Sequence, residues 1–125
     1  MNEQKHILMV EDDDFLRGLA VTKLQASGMK VDTAPDGEAA ITYLTTQAPD
    51  LILLDLMLPN MSGFEVLEKV RKMENQKNTK VIIFSNLGDE ADILKGQQLG
   101  ADDYLVKASF TLDELVEKIN GMITA

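Results

Sequence analysis

The 125 residues contain no cysteine, which removes disulfides and thiolate metal sites. Positive charge is scarce: 12 Lys and Arg stand against 21 Asp and Glu, a net charge of −9. A chain so charged repels a phosphate backbone at long range, so direct nucleic-acid binding is not expected. No apolar run approaches membrane-spanning length, and the amino terminus, with Glu3 and Lys5, does not resemble a secretory signal. The expected location is the cytoplasm, without membrane insertion. The single histidine, His6, reads as a surface residue before the first strand and is given no role. No internal repeat, low-complexity segment or linker interrupts the chain. With 45% hydrophobic and 26% charged residues, residues 1–125 read as one globular domain able to bury roughly two-thirds of its unfolded surface. Taken as the natural length, this leaves no room for a separate DNA-binding or catalytic domain, so output is expected to pass through a partner.

What is present is organised around Leu51 to Gly63, Leu-Ile-Leu-Leu-Asp-Leu-Met-Leu-Pro-Asn-Met-Ser-Gly. The apolar run reads as a strand buried on both faces, which puts Asp55 at its carboxyl end, on an exposed rim. Pro59, Asn60 and Gly63 mark a loop, and Ser62 with Glu65 forms a capping box that opens a helix. In open parallel sheets ligands collect just outside the carboxyl ends of the strands.

The rest of the chain repeats the pattern. Ile7 to Val10 is a first apolar strand that ends in Glu11, Asp12, Asp13 and Asp14, and Phe15, Leu16, Leu19, Ala20 and Leu24 follow at helical spacing to Gly28. A weaker strand, Lys30 to Ala34, turns at Pro35, Asp36 and Gly37 into a helix with Ala40, Tyr43 and Leu44 inward, which Pro49 closes. After Asp55 a third helix carries Phe64, Leu67 and Val70. A polar stretch, Glu74 to Thr79, precedes a fourth strand, Val81 to Ser85. Gly88 and Asp89 start a fourth helix, which Gly100 ends. A fifth strand at Tyr104 to Val106 delivers Lys107, and Thr111 with Glu114 caps a last helix striped by Leu112, Leu115, Val116, Ile119, Met122 and Ile123. Five strand–helix units in alternation predict an α/β fold: a five-stranded parallel sheet, order 2-1-3-4-5, doubly wound with five helices.

In that order the strand ends bring together Glu11 and Asp12 from strand one, Asp55 from three, Ser85 from four and Lys107 from five. Carboxylates about 4 Å apart repel by roughly 4 kcal/mol at an effective dielectric near 20, so three of them call for a compensating cation. An all-oxygen set without His or Cys suits a hard ion, Mg²⁺ or Mn²⁺. The cluster also fits phosphoryl transfer to a carboxylate. A solvent-accessible Asp, with a pKa of about 3.9, is an anion at neutral pH and needs no general base. The metal and Lys107 can neutralise phosphoryl oxygens while Ser85 donates a hydrogen bond.

Val-Glu-Asp-Asp, Leu-Asp-Leu-Met-Leu-Pro-Asn-Met-Ser-Gly, Ser85, Tyr104 and Lys107, with 43 residues from Asp12 to Asp55, resemble the receiver domain of two-component response regulators, the CheY-like superfamily with its flavodoxin-like fold. The resemblance covers essentially the whole chain. It implies that Asp55 is the phosphoryl acceptor, fed by a phosphohistidine on a sensor histidine kinase or phosphotransfer protein. It implies that Glu11, Asp12, Asp55 and the Met57 backbone carbonyl hold Mg²⁺, that Ser85 and Lys107 assist transfer, and that Ser85 and Tyr104 are switch residues remodelling the surface of the fourth helix, fifth strand and fifth helix toward a downstream protein target. Such a protein is a monomer or a phosphorylation-dependent dimer, and is not a conventional turnover enzyme. Asp13 and Asp14 are left to serve the helix amino terminus.

Three places depart from the family pattern. Ala108 stands where Pro usually follows the lysine at a bond the family often holds cis, and Asn86 stands where a small residue lets the aromatic swing past. Met57 and Leu87 flank the position of the hydrolytic water and orient it poorly, which predicts a long-lived phosphoryl group. The competing readings are a pseudo-receiver with phosphorylation-independent protein binding, a flavin-binding flavodoxin-like module, which the acidic rim disfavours, and a Mg²⁺-dependent phosphohydrolase, which would need an acid where Met57 stands.

Overall fold

A computed structural model describes residues 4–123. Five strands, β1 (His6–Val10), β2 (Lys30–Ala34), β3 (Leu51–Leu54), β4 (Lys80–Ser85) and β5 (Asp103–Val106), alternate with helices α1 (Asp14–Ala26), α2 (Gly37–Leu44), α3 (Gly63–Lys72), α4 (Glu90–Gln98) and α5 (Leu112–Ile123). All pairings are parallel and the order is β2-β1-β3-β4-β5, as the alternation predicts.

The central strands are uninterrupted apolar runs because both of their faces are covered. Leu8, Val10, Ile52, Leu54, Val81 and Ile83 point to the layer that receives Ala40, Leu44, Val66, Leu67 and Val70 from α2 and α3. Their neighbours Ile7, Met9, Leu51, Leu53, Ile82 and Phe84 point the other way, onto Ala20 and Leu24 of α1 and Leu115 and Ile119 of α5. The period of two along each strand thus divides one sequence run between two cores. Among the described helices none is long and apolar enough to cross a membrane.

Helix ends largely follow their sequence signals. Thr111 and Glu114 form the full reciprocal box, Glu114 N donating to Thr111 Oγ1 at 3.1 Å and Thr111 N to Glu114 Oε1 at 2.9 Å. At the start of α3 Ser62 Oγ accepts from Glu65 N at 3.3 Å. Helix α2 stops at Leu44, with Thr45 as its C-cap, well before Pro49. The stop is local: Thr45 N donates back to the Ile41 and Thr42 carbonyls, and Thr45 Oγ1 to the Thr42 carbonyl. The polar stretch before β4 contains a 3-10 turn, Glu74–Gln76. Its Gln76 is wholly buried because its amide donates to the Leu44 and Gln47 carbonyls and accepts from Thr79.

His6 is not a surface residue ahead of the first strand. It is the first residue of β1, and its Nε2 lies 2.8 Å from Asp32 Oδ2 and 2.7 Å from the Tyr43 hydroxyl, which itself donates to Asp32 at 2.6 Å. The cause is lateral: the β1–β2 register and the inward face of α2 place three polar groups together at the sheet edge. The Tyr43 hydroxyl, then His6, hold the Asp32 carboxyl below its ordinary range, and burial beside Asp32 raises the Tyr43 phenol. A carboxylate with a lowered folded pKa stabilises the fold above its unfolded value near 3.8, and that contribution disappears as pH falls through the folded value. Tyr43→Phe is therefore expected to lower stability at pH 7 by about 1 kcal/mol, Asp32 being partly solvated, and the gap in Tm from wild type should close toward pH 3. An equal gap at both pH values would show that the hydroxyl acts independently of the Asp32 charge.

Candidate metal and phosphoryl-transfer site

The ladders deliver the acids. Glu11 N donates to the Ala34 carbonyl at 3.0 Å and Asp55 N to the Val10 carbonyl at 3.1 Å, each extending the sheet by one bond past its strand. Both side chains are consequently drawn in: Glu11 is 1% and Asp55 4% exposed. The exposed rim expected for Asp55 is corrected to a recess, because Leu56 folds inward after it and Gly63 closes over its backbone, Gly63 N donating to the Leu56 carbonyl at 3.0 Å. Asp12 alone of the acidic set is exposed.

Carboxylate oxygens of Glu11, Asp12 and Asp55 all lie within 4.8 Å of one another. Lys107, in a 3-10 turn after β5, reaches across the sheet to donate to Glu11 Oε1 at 2.7 Å and Asp55 Oδ2 at 2.9 Å. Among the described residues every peptide bond is trans, that between Lys107 and Ala108 included, and the lysine completes this reach. Burial raises the Glu11 carboxyl above its ordinary value, the Lys107 bond opposes it, and the Asp55 charge adds to the rise. Burial presses the Lys107 ammonium down, but the bonds to Glu11 and Asp55 outweigh it and its pKa is raised. Three carboxylates around one ammonium leave an all-oxygen donor set with two negative charges in excess, which fits a hard divalent cation.

Ser85 is wholly buried at the end of β4, next to β3, and its Oγ accepts from Leu87 N at 3.4 Å. Met57 N donates to Asp55 Oδ1 at 3.1 Å, while the Met57 side chain is 56% exposed. Tyr104 does not join the acids: its hydroxyl donates to the Leu87 carbonyl in the loop before α4. Burial, then the Asp92, Asp55 and Asp89 charges, pushes its phenol up to about 12. Asn86, next to Leu87 in the sequence, is exposed.

Asp13 is the N-cap of α1, accepting from Phe15 N and Leu16 N at 3.0 Å, and Asp14 in the first turn pairs with Arg17. Two contributors escape sequence reading. Arg17 Nη1 donates to the Glu11 carbonyl at 2.8 Å; its spacing from Asp14 signals the ion pair but not this second bond. The Leu87 carbonyl that holds Tyr104 is backbone, and no residue type announces it.

Residues 7–120 match the model of the response regulator receiver domain. The "Probable transcriptional regulator ycf27" of Cyanophora paradoxa is 38% identical over 96% of this chain and 48% of its own length, so the chain spans about half the length of such curated relatives. Among solved structures, the receiver domain of Francisella response regulator 1452 superposes with TM-score 0.88 at 33% identity, covering 97% of this chain and 98% of that one. A CheY-like receiver domain protein from Methanospirillum hungatei gives TM-score 0.90 at 27% identity over 98% and 95%. A doubly wound sheet of this order, an acidic recess bridged by a lysine and these likenesses agree: the chain belongs to the response regulator receiver domain family.

Proposed function

We propose that residues 1–125 form one receiver domain in which Asp55 accepts a phosphoryl group from a phosphohistidine of a sensor histidine kinase or phosphotransfer protein. Receiver domains act as phosphorylation-controlled switches of two-component systems and generally bind Mg²⁺ in an acidic pocket. The observation that carries the reading is the Lys107 ammonium bridging Glu11 and Asp55 beside Asp12. Glu11, Asp12, Asp55 and the Met57 carbonyl would hold Mg²⁺, or Mn²⁺, which when bound offsets the charge of the incoming phosphoryl oxygens.

An Asp55 carboxylate oxygen attacks phosphorus, the P–N bond to the donor imidazole breaks, and the bonding pair stays on the leaving nitrogen, which takes a proton. Lys107 shields the negative charge that accumulates and Ser85 supplies a hydroxyl hydrogen bond to a phosphoryl oxygen. Ser85 and Tyr104 then shift the surface of α4, β5 and α5 between two populations, read by a downstream protein in the cytoplasm rather than by nucleic acid directly. The domain catalyses its own modification without conventional turnover, as a monomer or a dimer formed on phosphorylation.

The test is incubation with Mg²⁺ and acetyl phosphate, followed by intact mass. The wild type is expected to gain one phosphoryl group (~80 Da) that chelator prevents and Asp55→Asn abolishes. Followed in time, the adduct should be long-lived, because neither Met57 nor Leu87 carries a side chain that orients water, and Met57→Asn should shorten its half-life several-fold. Absence of an adduct in the wild type, with Mg²⁺ bound, would favour a constitutive pseudo-receiver.

A further inference from the structure

Helix α4 is the helix held least by side-chain burial. Its N-cap residue Asp89 makes no side-chain cap bond, Leu94 is 54% exposed, and its single buried residue is Gly96. Each of the other four helices buries two residues or more among those described. What α4 has instead is close approach. A Cβ at Gly96 would stand 2.7 Å from Ile83 Cδ1 and 3.1 and 3.4 Å from Cδ2 and Cε2 of the Tyr104 ring. Gly96 is not among the positive-φ residues, so alanine would suit the helical backbone there. The glycine provides room, not conformational freedom.

The ring filling that room is tethered at its far end. The Tyr104 hydroxyl donates to the Leu87 carbonyl, and the Leu87 amide donates to Ser85 Oγ at 3.4 Å. Ser85, Leu87, Tyr104 and Gly96 are therefore one contiguous series from the end of β4, beside Asp55, to the inner face of α4. Of the two groups a Cβ would strike, Ile83 is wholly buried in the core while Tyr104 is only partly buried. Ile83 Cδ1 is the free end of a flexible side chain and can turn aside, whereas the ring, rigid at 3.1 Å, has to move as a body by a few tenths of an ångström.

We propose that Gly96 is a positioning residue: the missing side chain is a notch that sets the rest position of the Tyr104 ring and, through it, the stance of α4 on β4 and β5. This rests on the reading of Tyr104 as the switch residue. A side chain at position 96 biases the switch by displacing the ring from its rest position, with no change at Glu11, Asp12, Asp55 or Lys107.

The chain has two tyrosines, Tyr43 and Tyr104, so the test is ¹⁹F NMR of the whole protein carrying 3-fluorotyrosine, with Tyr43→Phe to assign the pair. Gly18→Ala is the control, since a Cβ at Gly18 of α1 meets nothing within 4 Å. Gly96→Ala is expected to shift the Tyr104 resonance and leave that of Tyr43, while Gly18→Ala leaves both. If Gly96→Ala alone does not fold, adding Ile83→Val removes the Cδ1 contact and keeps the ring contact, and the same shift is expected. A Tyr104 resonance unchanged in these Gly96 variants, or moved equally by Gly18→Ala, overturns the proposal.

Adding Mg²⁺ and beryllofluoride separates this from the reading it rests on, because the bound fluoride signals report occupancy of Asp55 by themselves. At equal occupancy the wild-type ring is expected to move at least twice as far as the ring in Gly96→Ala. A filled acceptor with a motionless wild-type Tyr104 would sink the switch reading, whereas the comparison without beryllofluoride decides the notch by itself.

Discussion

Gly63→Ala is expected to lower folding stability by about 3 kcal/mol, near 10 °C in Tm for a domain of this size, and to abolish the Asp55 adduct. A Cβ at Gly63 would stand 2.2 Å from the Asp55 carbonyl oxygen and 2.6 Å from Leu56 Cα. Both are backbone atoms in the segment that carries Asp55, so no rotamer change relieves the contact. The first turn of α3 must retreat, which breaks the bond from Gly63 N to the Leu56 carbonyl. That bond fixes the loop bearing Met57, whose amide in turn fixes Asp55 Oδ1. Stability and phosphorylation are thus expected to fall together. A Tm within 2–3 °C of wild type, roughly 1 kcal/mol, would show that the loop can open without cost and that Gly63 does not fix Asp55.

The same loop shows what sequence reading captures and what it misses. The run Leu51 to Leu54 identifies a strand covered on both faces, and the punctuation at Pro59, Asn60 and Gly63 ends it, so the place of Asp55 at a strand end is legible. Its depth is not. Burial of Asp55 depends on Gly63 packing over the Asp55 backbone and on Lys107 arriving from β5, 52 residues away, and neither is a local property. Asn60 takes a positive φ of 68° in this loop, which its residue type tolerates.

His6 fails for a related reason. A lone histidine carries no periodicity, and its partners Asp32 and Tyr43 lie 26 and 37 residues away. Arg17 is legible as the partner of Asp14 through helical spacing, yet its bond to the Glu11 carbonyl needs the turn between β1 and α1 to be built first. Lys107 is legible all the same, because the strand order alone brings its strand end to that of Asp55, whereas His6 and Arg17 depend on contacts that no strand order announces.

Lys107→Met should have the second large effect, and it tests the electrostatics of the site directly. The lysine side chain is 14% exposed, and the side chains of its partners Glu11 and Asp55 are 2% and 5% exposed. Removing the cation from a buried pair costs about 3 to 5 kcal/mol, because the carboxylates are left uncompensated. The cost depends on pH with a definite sign. Burial already raises the Glu11 carboxyl, and loss of the Lys107 bond, which opposes that rise, lifts it further. A group with a raised folded pKa binds more protons in the folded state, so the variant gains stability as pH falls from neutrality toward the unfolded value of 4.5. The Tm gap from wild type is therefore widest at pH 7 and narrows in acid. Mg²⁺ should raise the Tm of the variant more than that of the wild type, since it meets a site with one more uncompensated negative charge. The rate of phosphorylation by acetyl phosphate should nevertheless fall by about 10²- to 10³-fold, the usual loss when one charge-stabilising donor is removed from a transition state. Tighter metal binding with slower transfer would separate the task of Lys107 from that of the carboxylates. A variant as stable as wild type at pH 7 and phosphorylated at the wild-type rate would leave Lys107 without a task in either the fold or the transfer.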